Sequence, residues 1–469
     1  MAMTFSVSLL LAGPASGQIF TNLHSLVISN GTTPYAGLVL AGGRLYGTAE
    51  NYGEQPFLPG NSGSVFRVNL DGSSFTNMHT FTQGADGGNP YGGVILAGSM
   101  LYGAAFFGGA SNSGCIFGIN TNGTGLTNLF SFPSLQPHSP FYTNTTGAYP
   151  NSGLIVSGAT LYGMANGGGT DSWGTIFAVN TNGSGFTNLH NFNVTDGQYP
   201  SAALILSGST LYGMTPDGGE NRSGTIFKVS TNGTGYTNFY SFSAPAAYPY
   251  TNSDGASPLG SLLLLDGMLY GTASSGGTNG CGTLFEVDTN GTVFTVLHCF
   301  PATNGAGING DGAHPYAGLV MWSNVLYGTA LDGGKSGYGT VFSIKTDGTD
   351  FTTLYSFTST NNVAGTNIDG AYPRGNLLLS GSVMYGTTSA GGAAGYGTIF
   401  SILFPPPLNI ALAGTNVVVS WPSGATGFNL QSTTNLAAPS WGTIGLVAGF
   451  NIVTNPAAGR QKYYRLMHP

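Results

Sequence analysis

Charge is the scarcest property of this chain. Ten Lys and Arg and 17 Asp and Glu make up 6% of its 469 residues, against about 25% in an average globular protein. So few basic residues, with no dense patch, exclude a surface that neutralises a phosphate backbone, and no nucleic-acid partner is expected. No apolar run reaches the roughly 18 residues that span a bilayer, so no transmembrane segment is expected. Three cysteines are too few for a disulfide framework. No segment sustains a 3.6-residue apolar period, so helix should be nearly absent. Gly-x-Ser-x-Gly, His-Glu-x-x-His and paired-cysteine zinc motifs are missing. The glycine-rich stretches, such as 166–169, follow strands without opening a helix, unlike a phosphate loop.

Glycine (78 residues) and aromatics (12%) are abundant, and the regular spacing of the aromatics argues for a packed β fold rather than disorder. Three phrases each recur seven times. Leu-Tyr-Gly or Met-Tyr-Gly centres on Tyr46, Tyr102, Tyr162, Tyr212, Tyr270, Tyr327 and Tyr385. Gly-x-x-Phe ends at Phe66, Phe117, Phe177, Phe227, Phe285, Phe342 and Phe400. Phe-Thr-Asn-Leu, or a close variant, begins at Phe20, Phe75, Leu126, Phe186, Tyr236, Phe294 and Phe351. The repeat is about 57 residues long and divides into four short strands joined by hairpins, with Asn-Gly supplying the positive φ that the turns need. The first strand, uniformly apolar, is expected innermost and most buried.

The phrases are out of step at the two ends. The copy at Phe20 has no Gly-x-x-Phe before it, and Phe400 has no third phrase after it. Seven complete units therefore exist only if 19–26 pairs with 398–403. The expected fold class is all-β: a seven-bladed β-propeller over residues 18–404, closed by its N-terminal strand. Residues 405–408 form a proline-rich linker, and 409–469 a small β-sandwich. Trp421 early and Tyr464 late in that region resemble a fibronectin type III-like domain. Residues 1–17 have an apolar stretch followed by Ala15, Ser16 and Gly17 but no basic start, and are expected to be a signal-peptide remnant.

The long, variable loops (50–63, 134–146, 244–254 and 302–312) share one face, where binding specificity is expected. Their aromatics Tyr52, Phe57, Phe106, Phe107, Trp173, Tyr248 and Tyr250 are candidates for stacking on sugar faces. An Asp-Gly-x-x-Pro phrase contributes Asp86, Asp196, Asp254, Asp311 and Asp369, with Asn30 and Thr146 in the two remaining copies, placed by ring geometry near a channel mouth. A calcium or sugar site there competes with plain Asx turns, and the turns are favoured. No cofactor and no metal ligand set is expected. His24, His79, His190 and His298 share one place in the fourth strand and read as packing residues. A three-residue hairpin loop at 289–291 would make Cys281 and Cys299 face each other in a cross-strand disulfide. Cys115 replaces the Thr of Gly-Thr-x-Phe as a buried small residue.

Residues 19–403 resemble the GloVer tandem-repeat proteins, a bacterial family described by its choice of C-terminal anchor. The phrases that carry the resemblance include 211–213, 224–227 and 236–239. It implies an exported or surface-attached bacterial protein and supplies no reaction, substrate or catalytic residue. The expected function is a secreted or cell-surface binding or adhesion module for carbohydrate. The alternative is an extracellular polysaccharide hydrolase or lyase using loop carboxylates such as Asp217, Glu220 or Asp332.

Overall fold

The computed structural model describes residues 18–50, 62–139, 141–361 and 364–404, with separate segments between 409 and 467. The described residues are all-β apart from a three-residue 3-10 turn, Ile28–Asn30. They form seven sheets of four strands each, a propeller-like arrangement of tandem repeats. The fourth repeat shows the pattern, with Ile205–Ser207, Thr210–Thr215, Thr225–Ser230 and Thr237–Ser241 pairing antiparallel in chain order. The last of these sheets runs Ile19–Ser25, Thr398–Leu403, Val383–Thr388, Leu378–Ser380.

Burial is concentrated in the second and third strands, not in the first as the sequence suggested. In Thr210–Thr215 and Thr225–Ser230 almost every residue is buried, whereas Ile205–Ser207 is partly exposed. The first strand is only three residues long and runs straight into a hairpin, so its buried leucine, Leu204, lies just ahead of it. The recurrent phrases are two halves of one contact. Gly213 of Leu-Tyr-Gly lies opposite Phe227 of Gly-x-x-Phe. A Cβ on that glycine would come within 2.5 Å of Phe227 Cζ. The ring lies on the bare backbone, and the same holds at Gly47 with Phe66 and Gly328 with Phe342.

A second phenylalanine at the end of six of the seven fourth strands ties neighbouring sheets together. Phe192 is fully buried and meets Phe227 of the next repeat edge-on, with ring centroids 5.3 Å apart. Phe81–Phe117, Phe242–Phe285 and Phe357–Phe400 repeat the contact. Each of these residues bonds back to its own sheet, as in Phe192 N to Gly174 O at 3.0 Å, and Leu26 takes the equivalent place with Gly397 O, also at 3.0 Å. Near the first strands, Asn376 of the seventh repeat donates to Ser261 Oγ of the fifth (2.9 Å) and accepts from Gly318 N of the sixth (2.7 Å).

The hairpin between the third and fourth strands of the fifth repeat corrects the disulfide expectation. The loop is four residues long, closed by Asp288 N to Val293 O at 3.1 Å, and a bulge follows at Leu284/Phe285. Each adds to the register, so Cys299 faces Thr283. All three cysteines are free thiols.

The chain divides into two compact units, one holding 21–378 and 385–400. In the other, two three-stranded sheets are built from Asn409–Ala413, Asn416–Ser420 and Ile452–Pro456, and from Gly442–Thr443, Asn429–Thr433 and Tyr463–Met467. Val419, Trp421, Leu430 and Val453 form their core.

Gly213→Ala should lower the thermal midpoint, corresponding to about 1–3 kcal/mol of overpacking. An unchanged midpoint in thermal unfolding would show that the Phe227 ring is free to move aside.

Candidate functional site

The loop face is organised by the residue before each proline. Thr33, Asn89, Tyr149, Tyr199, Ser257, His314 and Tyr372 all have φ between 51° and 59°. That left-handed conformation is rare without glycine and costs roughly 1–2 kcal/mol per residue. It turns each N–H onto the neighbouring sheet. Tyr149 N donates to Ser113 O (2.8 Å), Tyr199 N to Trp173 O (3.0 Å), His314 N to Cys281 O (2.8 Å) and Thr33 N to Tyr396 O (3.0 Å). The carbonyl stays with its own sheet, Asn89 O accepting Phe106 N and Tyr372 O accepting Ser389 N, both at 3.1 Å.

The proline then fixes the direction of the residue that follows it. Those seven residues are Tyr35, Tyr91, Asn151, Ser201, Leu259, Tyr316 and Arg374, all half-buried. Four of them meet. The Arg374 guanidinium carbon lies 4.7 Å from the Tyr35 ring centroid and 4.8 Å from that of Tyr316. Tyr35 stacks on Tyr91 at 6.0 Å. The line continues through Tyr91–Phe106 at 5.2 Å and Phe106–Tyr149 at 5.3 Å, with Phe107 edge-on to Tyr149. Six aromatic residues and one arginine thus form a continuous track drawn from repeats six, seven, one, two and three. Beside it, Asn151 Oδ1 and Ser201 Oγ are buried without a hydrogen-bond partner.

Glu50 lies beneath this track, 1% exposed. Burial pushes its carboxyl up to about 8 from an ordinary 4.5, while Tyr91, Asn89 and Arg374 nearby pull in the opposite direction. Neither carboxyl oxygen has a partner in hydrogen-bonding geometry, so burial prevails and the group is protonated at neutral pH.

Of the aromatics expected from the sequence, Phe106 and Phe107 belong to the track. Trp173 instead meets Tyr199, at 5.2 Å. Tyr248 and Tyr250, 85% and 61% exposed, touch each other at 5.9 Å. Tyr52 and Phe57 lie outside the described residues. Arg374, Tyr35, Tyr91, Tyr316 and Glu50 were not singled out. For all but Glu50 the signal was the place after proline in a repeated phrase, where Tyr, Asn, Ser, Leu and Arg alternate although Pro itself recurs in every copy.

The five aspartates lie beside the fourth strands of their own repeats. Four of them are tied to the fourth strand by an aromatic partner in hydrogen-bonding geometry. His79 Nε2 meets Asp86 Oδ2 at 3.0 Å, and His190 meets Asp196 at 3.1 Å. Tyr240 and Tyr355 donate to Asp254 and Asp369 at 2.8 Å. His298 lies 3.1 Å from Asp311, and His24 3.2 Å from Asn30. The repeat with non-donating Phe130 has Thr146 instead of an Asp or Asn. These rings also stack on the next repeat, His190 on Tyr236 at 3.6 Å and Phe130 on Phe186 at 3.9 Å. The threonine of Gly-Thr-x-Phe donates to the same loop, Thr283 Oγ1 reaching Asp254 O at 2.9 Å. Cys115 Sγ makes the longer equivalent contact with Asp86 O at 3.7 Å, and burial pushes that thiol up to about 12. Of the carboxylates proposed for catalysis, Asp332 faces His314 Nδ1 at 3.2 Å, whereas Asp217 and Glu220 are exposed. Among the described residues no three His, Cys, Asp or Glu side chains gather as a metal cluster.

Two measurements follow from this geometry. His190→Phe with Asp196→Thr reproduces the natural Phe130/Thr146 combination, and a double-mutant cycle should give about 1 kcal/mol of favourable coupling. Additive effects would mean that the two side chains do not depend on each other. For Glu50, the folded state keeps a proton that the unfolded chain releases above about pH 4.5. Its contribution is therefore full below that pH, falls as pH rises to about 8, and is flat beyond. Glu50→Gln should gain on the parent across that window, by several kcal/mol at pH 8, in thermal melts at stepped pH; parallel curves would contradict the shift.

No curated protein matches the chain. Solved structures resemble it remotely. An oligogalacturonate lyase in complex with manganese is 10% identical over 86% of this chain and 97% of its own, with a TM-score of 0.49. A GH74 enzyme from Niastella koreensis is 14% identical over 96% and 73%, also at 0.49. An oligogalacturonate lyase from Vibrio parahaemolyticus is 9% identical over 83% and 98%, at 0.47. Likenesses this distant carry no activity across. The Gloeobacter/Verrucomicrobia repeat model matches three consecutive stretches, residues 13–143, 138–311 and 307–407. By that match over most of its length, the chain belongs to the Gloeobacter/Verrucomicrobia repeat family.

Proposed function

We propose that this protein is a secreted or cell-surface bacterial module that binds carbohydrate on its loop face, without turnover. The observation that carries the reading is the aromatic track from Tyr316 to Tyr149. Partly exposed rings at such spacing suit the apolar faces of consecutive sugars, and amide and hydroxyl groups such as Asn151 and Ser201 beside them suit sugar hydroxyls. Low charge and the apolar segment within 1–17 support export.

The scaffold of this reading is a closed ring of seven blades. The bond from Thr33 to Tyr396 repeats the bonds that join other consecutive sheets, and Leu26 to Gly397 repeats the bond that ends the other fourth strands. Thr387 Oγ1 adds a bond to Ala36 O at 3.0 Å. The C-terminal region is read as a fibronectin type III-like sandwich, supported by its two three-stranded sheets and the buried Trp421. No cofactor or metal is part of the reading.

In affinity electrophoresis across a panel of polysaccharides, Tyr91→Ala and Phe106→Ala should each weaken retention about tenfold or more. Tyr248→Ala, off the track, should leave it unchanged. Absence of binding to every polysaccharide in the panel would remove this reading.

A further inference from the structure

Arg374 is held in an unusual state for an arginine. It is half-buried and flanked by Tyr35 and Tyr316. Among the described residues its guanidinium has no hydrogen bond and no ion pair. Among the described residues, its five N–H donors in a fixed fork thus lose part of their hydration without gaining an acceptor, which costs free energy unless an anion completes the site. Glu50, a described carboxyl group that acts on Arg374, is buried, and burial pushes its carboxyl up to about 8, so it offsets little of the guanidinium's charge at neutral pH. The rings that touch the guanidinium hold it in place in advance, so little rotamer entropy remains to be lost on binding. A planar oxyanion with two oxygens is the natural complement of that fork.

We infer that the ligand is an acidic polysaccharide, with Arg374 receiving a sugar carboxylate and the aromatic track flanking it. This rests on the carbohydrate reading above and narrows it. The chain's net charge of −7 opposes a polyanion at long range, so the preference arises at this contact and not from a diffuse positive field.

The test uses the full chain and one polymer in two forms, a polyuronate and its fully methyl-esterified counterpart, with titration calorimetry at physiological salt. The acid form should bind at least tenfold more tightly. Arg374→Met should abolish that difference, weakening binding of the acid form at least tenfold more than binding of the ester. Arg374→Lys, which keeps the charge and loses the fork, should retain only part of the difference and keeps the test valid if the Met variant fails to fold. Equal binding of the two forms, a preference that survives Arg374→Met, or selection of a sulfated glycan over the polyuronate would overturn the inference. A protein that binds neutral polysaccharides and rejects the polyuronate sinks this inference but leaves the carbohydrate reading standing. Binding to none of them sinks both.

Discussion

A left-handed residue directly before proline is an awkward thing to build seven times without glycine, because that region is strained for any side chain. It persists here because its two peptide groups serve two sheets, the N–H reaching the neighbour and the carbonyl returning to the parent strand. The following proline converts this backbone geometry into side-chain placement. Tyr35, Tyr91, Tyr316 and Arg374 therefore meet because their backbones are fixed, without needing a local hydrophobic cluster of their own. The same device leaves the identity of each side chain unconstrained, as Asn151, Ser201 and Leu259 show. A rigid frame with one permissive place per repeat is what a binding surface needs if it is to diverge.

The outer strands follow a different logic. There the aromatic ring serves twice, its face stacked on the next repeat and its polar edge, where it has one, tied to an aspartate in its own loop. Repeat three keeps the stacking and lacks the polar tie, Phe130 lying on Phe186. Packing is thus the shared requirement, and the hydrogen bond is an addition made wherever a donor is present. Long-range electrostatics contribute little in a molecule with 6% charged residues, so short-range contacts and backbone bonds do the holding.

The repeat, its four strands and the all-β class were legible because each phrase marks a steric event, glycine beneath phenylalanine being the plainest. Positions decided by register were not. Cys281 and Cys299 were separated by one extra loop residue and one bulge, neither of which changes the hydrophobic pattern. The partners of the aspartates were hidden because the phrase shows a loop but not which way the loop folds, and the aspartates point back to the fourth strand. Most of the aromatic track was hidden for a related reason. Phe106 and Phe107 stand out as loop aromatics, whereas Tyr35 and Tyr316 are unremarkable until the backbone brings them to Arg374.

Linear repeat arrays unfold piecemeal, since each unit touches only its neighbours and an end can fray at little cost. Asn376 breaks that rule by bonding to repeats five and six together. Peeling away the seventh repeat would strand polar groups in two others, so partial opening becomes expensive and the molecule tends toward all-or-none loss of structure. Such concerted behaviour would withhold the half-open states on which proteolytic cleavage begins.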